Sequence, residues 1–257
     1  MDVAVVGDPE SVGRRAAVLV LQGLGEDPAL VLGVATGSSP VSTYRALAEA
    51  RREGTDFSRV RVVALDEYVG LPETDPRSYH AFVWREIAQP LRIPRDNVLV
   101  PDGNAPDPEA ACAAFEEALR AWGGTGIQLL GIGRNGHVGF NEPGSALDSR
   151  TRRSALSETT RADNARFFPR PEDVPAYCLT QGVGTIAEAR TIVLVASGPH
   201  KAAAVAAAVE GPVTEACPAS FLQRHRDATM VLDPAAAAGL AGHRVSEPTR
   251  HRRSGPA

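Results

Sequence analysis

Between Leu129 and Pro143 the chain reads Leu-Leu-Gly-Ile-Gly-Arg-Asn-Gly-His-Val-Gly-Phe-Asn-Glu-Pro. An amide (Asn135), an imidazole (His137) and a carboxylate (Glu142) thus share one short, glycine-rich loop. Glycines at a strand end let the backbone approach a ligand closely, and a histidine held by a carboxylate can shuttle protons near neutral pH. A dinucleotide site fits less well, because Gly131-x-Gly133 lacks the third glycine and no helix-like run follows at once.

Three further segments carry chemistry. Val62–Leu71 places Asp66 and Glu67 directly after an apolar strand, where open α/β sheets bind their ligands. Adjacent residues at a strand end point in opposite directions, so one of the two at most faces a given ligand; a pair of acidic turn residues is the plainer alternative. In Ala35-Thr36-Gly37-Ser38-Ser39-Pro40, backbone N–H groups of Gly37, Ser38 and Ser39 at a helix start suit a phosphate without any basic side chain, although an ordinary serine-capped turn has the same composition. Lys201 is the one lysine in the chain, in the first turn of a helix, where a cation opposes the helix dipole unless an anion sits nearby. A solvated lysine kept in an arginine-rich composition is the other reading.

These residues need a frame to hold them. Short apolar runs at Val3–Val6, Leu30–Ala35, Val60–Leu65, Gln128–Ile132, Thr191–Val195 and Thr229–Leu232 are expected to be buried strands. Helical patterns lie between them, starting at Asp8-Pro9, Ser39-Pro40, Asp107-Pro108 and Pro199, each with an acceptor or a proline at the entry. The alternation predicts an α/β fold: a Rossmann-like, open, largely parallel sheet with helices on both faces. No internal repeat or long linker divides the chain, so residues 1–247 are read as one domain. Residues 150–175 are polar, arginine-rich and weakly patterned, which suits a lid, and residues 248–257 read as a solvated basic tail.

Composition closes off other classes. The 257 residues are 43% hydrophobic and 23% charged, with 27 Lys and Arg against 31 Asp and Glu for a net charge of -4. That balance offers no broad positive field for nucleic acid or anionic lipid. No apolar run is long enough for a membrane span, and the N-terminus carries acids where a signal peptide has a basic region. Three widely spaced cysteines, Cys112, Cys178 and Cys217, form neither a disulfide framework nor a zinc motif. A cytoplasmic protein without a bound metal is expected.

Taken together, the ATGSSP loop, LDEYVGLP, Arg77-Ser78-Tyr79, GIGRNGHVGFNEPGSALDSRTR, Asn164-Ala165-Arg166-Phe167-Phe168 and Gly182-Val183-Gly184-Thr185 resemble the glucosamine-6-phosphate deaminases of the glucosamine/galactosamine-6-phosphate isomerase family, in order and over nearly the whole chain. The resemblance implies conversion of glucosamine 6-phosphate and water to fructose 6-phosphate and ammonia, with no metal or organic cofactor. It implies that Asp66 moves the C2 proton to C1 and that His137 opens the sugar ring. Glu142 would orient His137 and favour its charged form, and Asn135 would act by hydrogen bonding. Gly37, Ser38, Ser39, Arg166 and Lys201 would hold the substrate phosphate.

Departures from the family pattern also carry expectations. Members regulated by N-acetylglucosamine 6-phosphate have a lysine where this chain has Ser154, although Ser145 and Arg152 fit, so little allosteric activation is expected. Members include hexamers and monomers, leaving a homo-oligomer open. Competing readings are the galactosamine epimer as substrate, 6-phosphogluconolactonase, which would have a basic residue where Tyr68 follows the acidic pair, and a non-catalytic sugar-phosphate sensor.

Overall fold

The computed structural model describes residues 1–241; the basic 248–257 segment and the last residues of the expected domain lie outside them. The elements begin with β1 (Asp2–Val5), α1 (Pro9–Glu26), β2 (Val31–Val34), α2 (Val41–Arg52), β3 (Arg61–Ala64) and β4 (Asp66–Tyr68). Next, α3 (Tyr79–Val83) runs through a π turn into α4 (Gln89–Leu91), followed by β5 (Val98–Leu99), α5 (Pro108–Ala121) and β6 (Ile127–Leu130). The remainder is β7 (Arg152–Ala155), α6 (Glu158–Asn164), β8 (Tyr177–Thr180), α7 (Val183–Ala187), β9 (Thr191–Ala196), α8 (Ala202–Glu210) and β10 (Ala228–Leu232).

Seven strands form one parallel sheet in the order β1-β10-β9-β6-β2-β3-β5. All six expected strands are in it; the edge strand β5 is an addition of two residues. Buried parallel strands need apolar side chains on both faces, and β9 supplies them. Its Ile192, Leu194 and Ala196 pack with Val205 and Ala208 of α8, while Val193 and Val195 pack with Val12 and Ala16 of α1 on the opposite face. Helices therefore cover both faces, as the apolar alternation requires.

From β2 the strands run outward through β3 to β5, and from β6 outward through β9 and β10. The order reverses between β2 and β6, so the loops leaving their carboxyl ends diverge and leave a crevice, the place where doubly wound sheets bind ligands.

Helix entries follow the cap-and-proline signals at α1 and α5 but not at α2 or α8; α8 starts at Ala202 after a 3-10 turn over Pro199–Lys201, so Lys201 stands at its cap position and not within its first turn. Asp8 accepts from Ser11 N at 2.7 Å at the start of α1, and Asp107 accepts from Glu109 N at 3.0 Å and Ala110 N at 3.1 Å at the start of α5. At α2 the cap position is Pro40, one residue later than the Ser39-Pro40 pattern suggests, and no side chain caps the helix. The Ser38 and Ser39 hydroxyls are thus not engaged as caps of α2.

Residues 150–175 are more ordered than their composition suggests. They open with β7, which pairs antiparallel with β8 in a second sheet, β4-β8-β7, and continue through α6 and two 3-10 turns. β4 pairs with β8 on the other side, setting Asp66 opposite Thr180. The small sheet thereby joins the strand bearing the acidic pair to the segment read as a lid. No helix among the described residues is long and apolar enough to cross a membrane.

Candidate active site

A cavity of about 530 Å³ lies over the crevice between β2 and β6. Gly37, Ser38 and Ser39 line it from the loop after β2, Asp66 from β4, His137 from the loop after β6, Arg166 from the turn following α6, and Lys201 from the entry to α8. Asn135 and Glu142 are not in the wall; they stand behind His137.

One part of the wall gathers the Gly37–Ser39 loop, Lys201 and Arg166. Gly37 has φ +91°, a left-handed conformation that glycine adopts without strain and that turns the chain into α2. Lys201 Nζ donates to the carbonyl of Ile132 at 2.6 Å, which seats the ammonium against the end of β6. Burial lowers the lysine's pKa, and the nearby cations Arg134 and Arg166 lower it further while Asp163 opposes them. An arriving anion would relieve that crowding. Arg166 lies over the ring of Phe167, 4.7 Å from its centroid, and Phe167 is itself 52% exposed.

Asp66 and Glu67 part company as neighbouring strand residues must. Glu67 turns away from the cavity and accepts three backbone N–H groups, from Tyr68 at 2.7 Å, Tyr79 at 2.9 Å and His80 at 2.8 Å. Burial still raises it to about 6. Asp66 faces the cavity, is 3% exposed, and its Oδ1 has no hydrogen-bond partner. Burial, reinforced by the Glu67 charge and only partly offset by the Phe140 N–H, raises its pKa to about 8. No cation pairs with it among the described residues, so Asp66 holds its proton near neutral pH until a cation brought beside it lowers the pKa again. Close approach of the Phe140 amide depends on Gly139, where φ is +54° and an added Cβ would lie 3.2 Å from Asp66 Oδ2.

The arrangement around His137 differs from the expectation in two respects. Asn135 Oδ1 is 2.8 Å from His137 Nδ1, whereas Glu142 Oε2 is 3.7 Å from that nitrogen. Glu142 instead accepts from Asn135 Nδ2 at 2.8 Å. A carboxylate only accepts, so the Asn135 NH₂ must face Glu142 and its oxygen must face the ring. His137 Nδ1 then carries the proton, and Nε2 is free to accept one. Glu142 orients the ring through Asn135 instead of holding it directly. Burial lowers the pKa of His137 and Lys201 adds to this, outweighing Glu142 and Asp163, so the neutral imidazole is favoured where the sequence suggested the charged form.

Several contributors were not singled out as site residues from sequence. The Ser157 hydroxyl donates to Glu142 Oε1 at 2.9 Å and Thr160 Oγ1 donates to the same oxygen, both from the first turn of α6. Ser157 also caps that helix by accepting from Thr160 N at 3.1 Å. Arg134 pairs with Asp163 at 2.9 Å, tying the histidine loop to α6. Tyr79 lines the cavity, its hydroxyl 3.3 Å from that of Tyr68 and its ring stacked on Phe140.

The family model for glucosamine-6-phosphate isomerases and 6-phosphogluconolactonases matches residues 10–231. The chain belongs to this family. Among its relatives, the glucosamine-6-phosphate deaminase of Cutibacterium acnes is 52% identical over 93% of this chain and 92% of its own length. That of Streptomyces avermitilis is 51% identical over 99% and 97% respectively. A solved structure described as a monomeric glucosamine-6-phosphate deaminase superposes with a TM-score of 0.90 at 42% identity, covering 93% of this chain and all (100%) of that one. The 6-phosphogluconolactonase of Trypanosoma cruzi, with a TM-score of 0.77 at 21% identity, shares the family's fold.

Proposed function

We propose that this protein is a glucosamine-6-phosphate deaminase, isomerising glucosamine 6-phosphate and hydrolysing the resulting C2 imine to give fructose 6-phosphate and ammonia. The observation that carries the reading is one cavity whose wall joins the Gly37–Ser39 loop, Lys201 and Arg166 to a buried acid, Asp66, and a neutral histidine, His137. Relatives about half identical over nearly their full length bear the same name. A hexosamine phosphate has the matching charges, a phosphate at C6 and an ammonium at C2.

In this reading Gly37, Ser38, Ser39, Lys201 and Arg166 take the phosphate. Charge-assisted hydrogen bonds of this kind contribute roughly 1.5–3 kcal/mol each. Their energy, remote from the reacting carbons, orients the sugar and draws the 150–175 lid inward. His137, protonated at Nδ1 and open at Nε2, receives the C1 hydroxyl proton and passes it to the ring oxygen as the pyranose opens. Asp66, ionised beside the substrate ammonium, removes the C2 proton and returns it at C1. Water then adds to the C2 imine, the C–N bond breaks, and the nitrogen leaves as ammonia. Asn135 and Glu142 keep the imidazole in the required tautomer. The reading needs no metal or organic cofactor.

The described monomer among solved relatives supports a monomer here, and three buried, unbridged cysteines support a reducing cytoplasm. The functional test is product release from glucosamine 6-phosphate, with galactosamine 6-phosphate and 6-phosphogluconolactone in parallel. Equal ammonia and fructose 6-phosphate from the first is expected. Preferential turnover of the epimer or the lactone, or binding without turnover of any, would overturn the assignment.

A further inference from the structure

Away from the cavity, one carboxylate collects more donors than any mechanistic role for it would explain. Glu116 on α5 is 9% exposed. Its Oε1 accepts from Thr151 N at 3.0 Å, from the Thr151 hydroxyl at 2.5 Å and from the Thr185 hydroxyl at 2.5 Å, and the Arg150 guanidinium donates to Oε2. Burial alone would raise its pKa, but these donors outweigh burial and bring it to about 2, so the charge persists across the working range. Its neighbours Phe115 and Leu119 pack against Val31 and Val63, fixing α5 to the main sheet.

The donors sit at the two ends of the β7–β8 excursion from the main sheet, where the chain leaves after β6 and returns to β9. Arg150 and Thr151 immediately precede β7, and Thr185 lies in α7, just beyond β8. The two ends are also joined to each other. Gly184 N donates to Ser149 O at 2.9 Å and Val183 N to Ser149 Oγ at 3.1 Å, while a Cβ at Gly182 would come within 2.1 Å of Ser149 O. Residues 152–180 therefore leave and return through one neck, and Glu116 is the group that fastens this neck to α5. Beyond it hang Ser157 and Thr160 on Glu142, Asp163 on Arg134, and Arg166 in the cavity wall.

We propose that Glu116 is a positioning residue for ligand binding: by pinning both strands of the neck it sets where Ser157, Thr160 and Arg166 meet the cavity. It touches no substrate and acts through the segment it anchors. The kinetic part of the test rests on the deaminase reading; the exchange part stands without it.

The test compares Glu116→Gln, which keeps an acceptor but loses the charge, in the parent and in an Arg166→Ala background. Losing a charged acceptor for several donors is expected to raise KM about tenfold in the parent. With Arg166 already removed, the same change should raise KM less than about twofold, because additivity fails when one site acts through the other. Hydrogen exchange should quicken in residues 156–168 while β6 and β9 keep their protection. Equal KM effects in both backgrounds, or faster exchange spread evenly over the molecule, would overturn the proposal and leave Glu116 a general stability element. Should the glutamine variant not fold, Thr185→Val removes one donor and must give the same pattern at smaller size. A parent that fails to turn over glucosamine 6-phosphate defeats the deaminase reading, yet the exchange pattern still decides the role of Glu116.

Discussion

The Asn135 side-chain oxygen lies 2.8 Å from His137 Nδ1. A neutral amide thus stands where a carboxylate would be the obvious partner, and it couples the ring to Glu142 without placing a full charge against it. Asn135→Ala takes the acceptor from the half-buried imidazole N–H and with it the control of ring orientation, so kcat should fall about tenfold. Asn135→Asp works oppositely on protonation: a carboxylate at Nδ1 favours imidazolium and raises the His137 pKa. If neutral His137 is the working form, the acid limb of the kcat profile moves to higher pH. An unmoved acid limb would show that another group controls it.

Asp66 makes stability depend on pH. Its pKa is raised from 3.8 to about 8 on folding, so between those values the folded chain keeps a proton that the unfolded chain has released. Stability contributed by this group therefore falls as pH rises through that window. Asp66→Asn removes the dependence, and its Tm advantage over the parent should widen from pH 5 to pH 8. A constant difference would mean that Asp66 ionises as an ordinary carboxylate. The same variant should lose about 10²–10⁴-fold in kcat, the range for a missing general base.

Asp163 sets a negative charge beside Lys201 and Arg134, where the proposed function puts the substrate phosphate. Asp163→Asn should tighten competitive inhibition by inorganic phosphate about threefold at low ionic strength, with the gain shrinking as salt is added. Weaker inhibition would instead show that the Arg134–Asp163 pair holds the site in shape.

Arg152 donates to Asn141 Oδ1 at 2.9 Å and to Ser145 Oγ at 3.1 Å, so its guanidinium is already engaged within the protein. With Ser154 at the position where the family resemblance leads one to expect a lysine in regulated members, velocity should rise hyperbolically with substrate and be unchanged by N-acetylglucosamine 6-phosphate. A sigmoidal curve made hyperbolic by that compound would refute the expectation.

The main sheet was legible because its strands are short apolar runs bounded by helix-entry signals, and burial on both faces leaves that mark. The small sheet was not. Arg152-Arg153-Ser154-Ala155 forms β7 with alternate residues exposed and no large apolar side chain, and β4 is only Asp66, Glu67 and Tyr68. Both are strands by virtue of pairing with β8, a tertiary cause that local composition does not reveal. Within the site, the loop and strand-end residues could be read directly because glycine spacing and charge mark them. Thr160 and Asp163 could not, since their partners Glu142 and Arg134 are 18 and 29 positions away along the chain. The contact between His137 and Asn135 spans two positions only, yet its geometry decided which of two candidate partners the imidazole met.

The seating of Lys201 on the Ile132 carbonyl also has a use at the bench. No other lysine occurs in the chain, so apart from the terminal amine, acylating reagents and reductive methylation find one address. The ammonium is half-buried with its pKa lowered, so more of it is free base in mild alkali than in an ordinary lysine, favouring reaction while burial limits access. A phosphate seated against it should shield it. Peptide-mass mapping, which separates the Lys201 adduct from that at the terminal amine, would then report occupancy of the cavity.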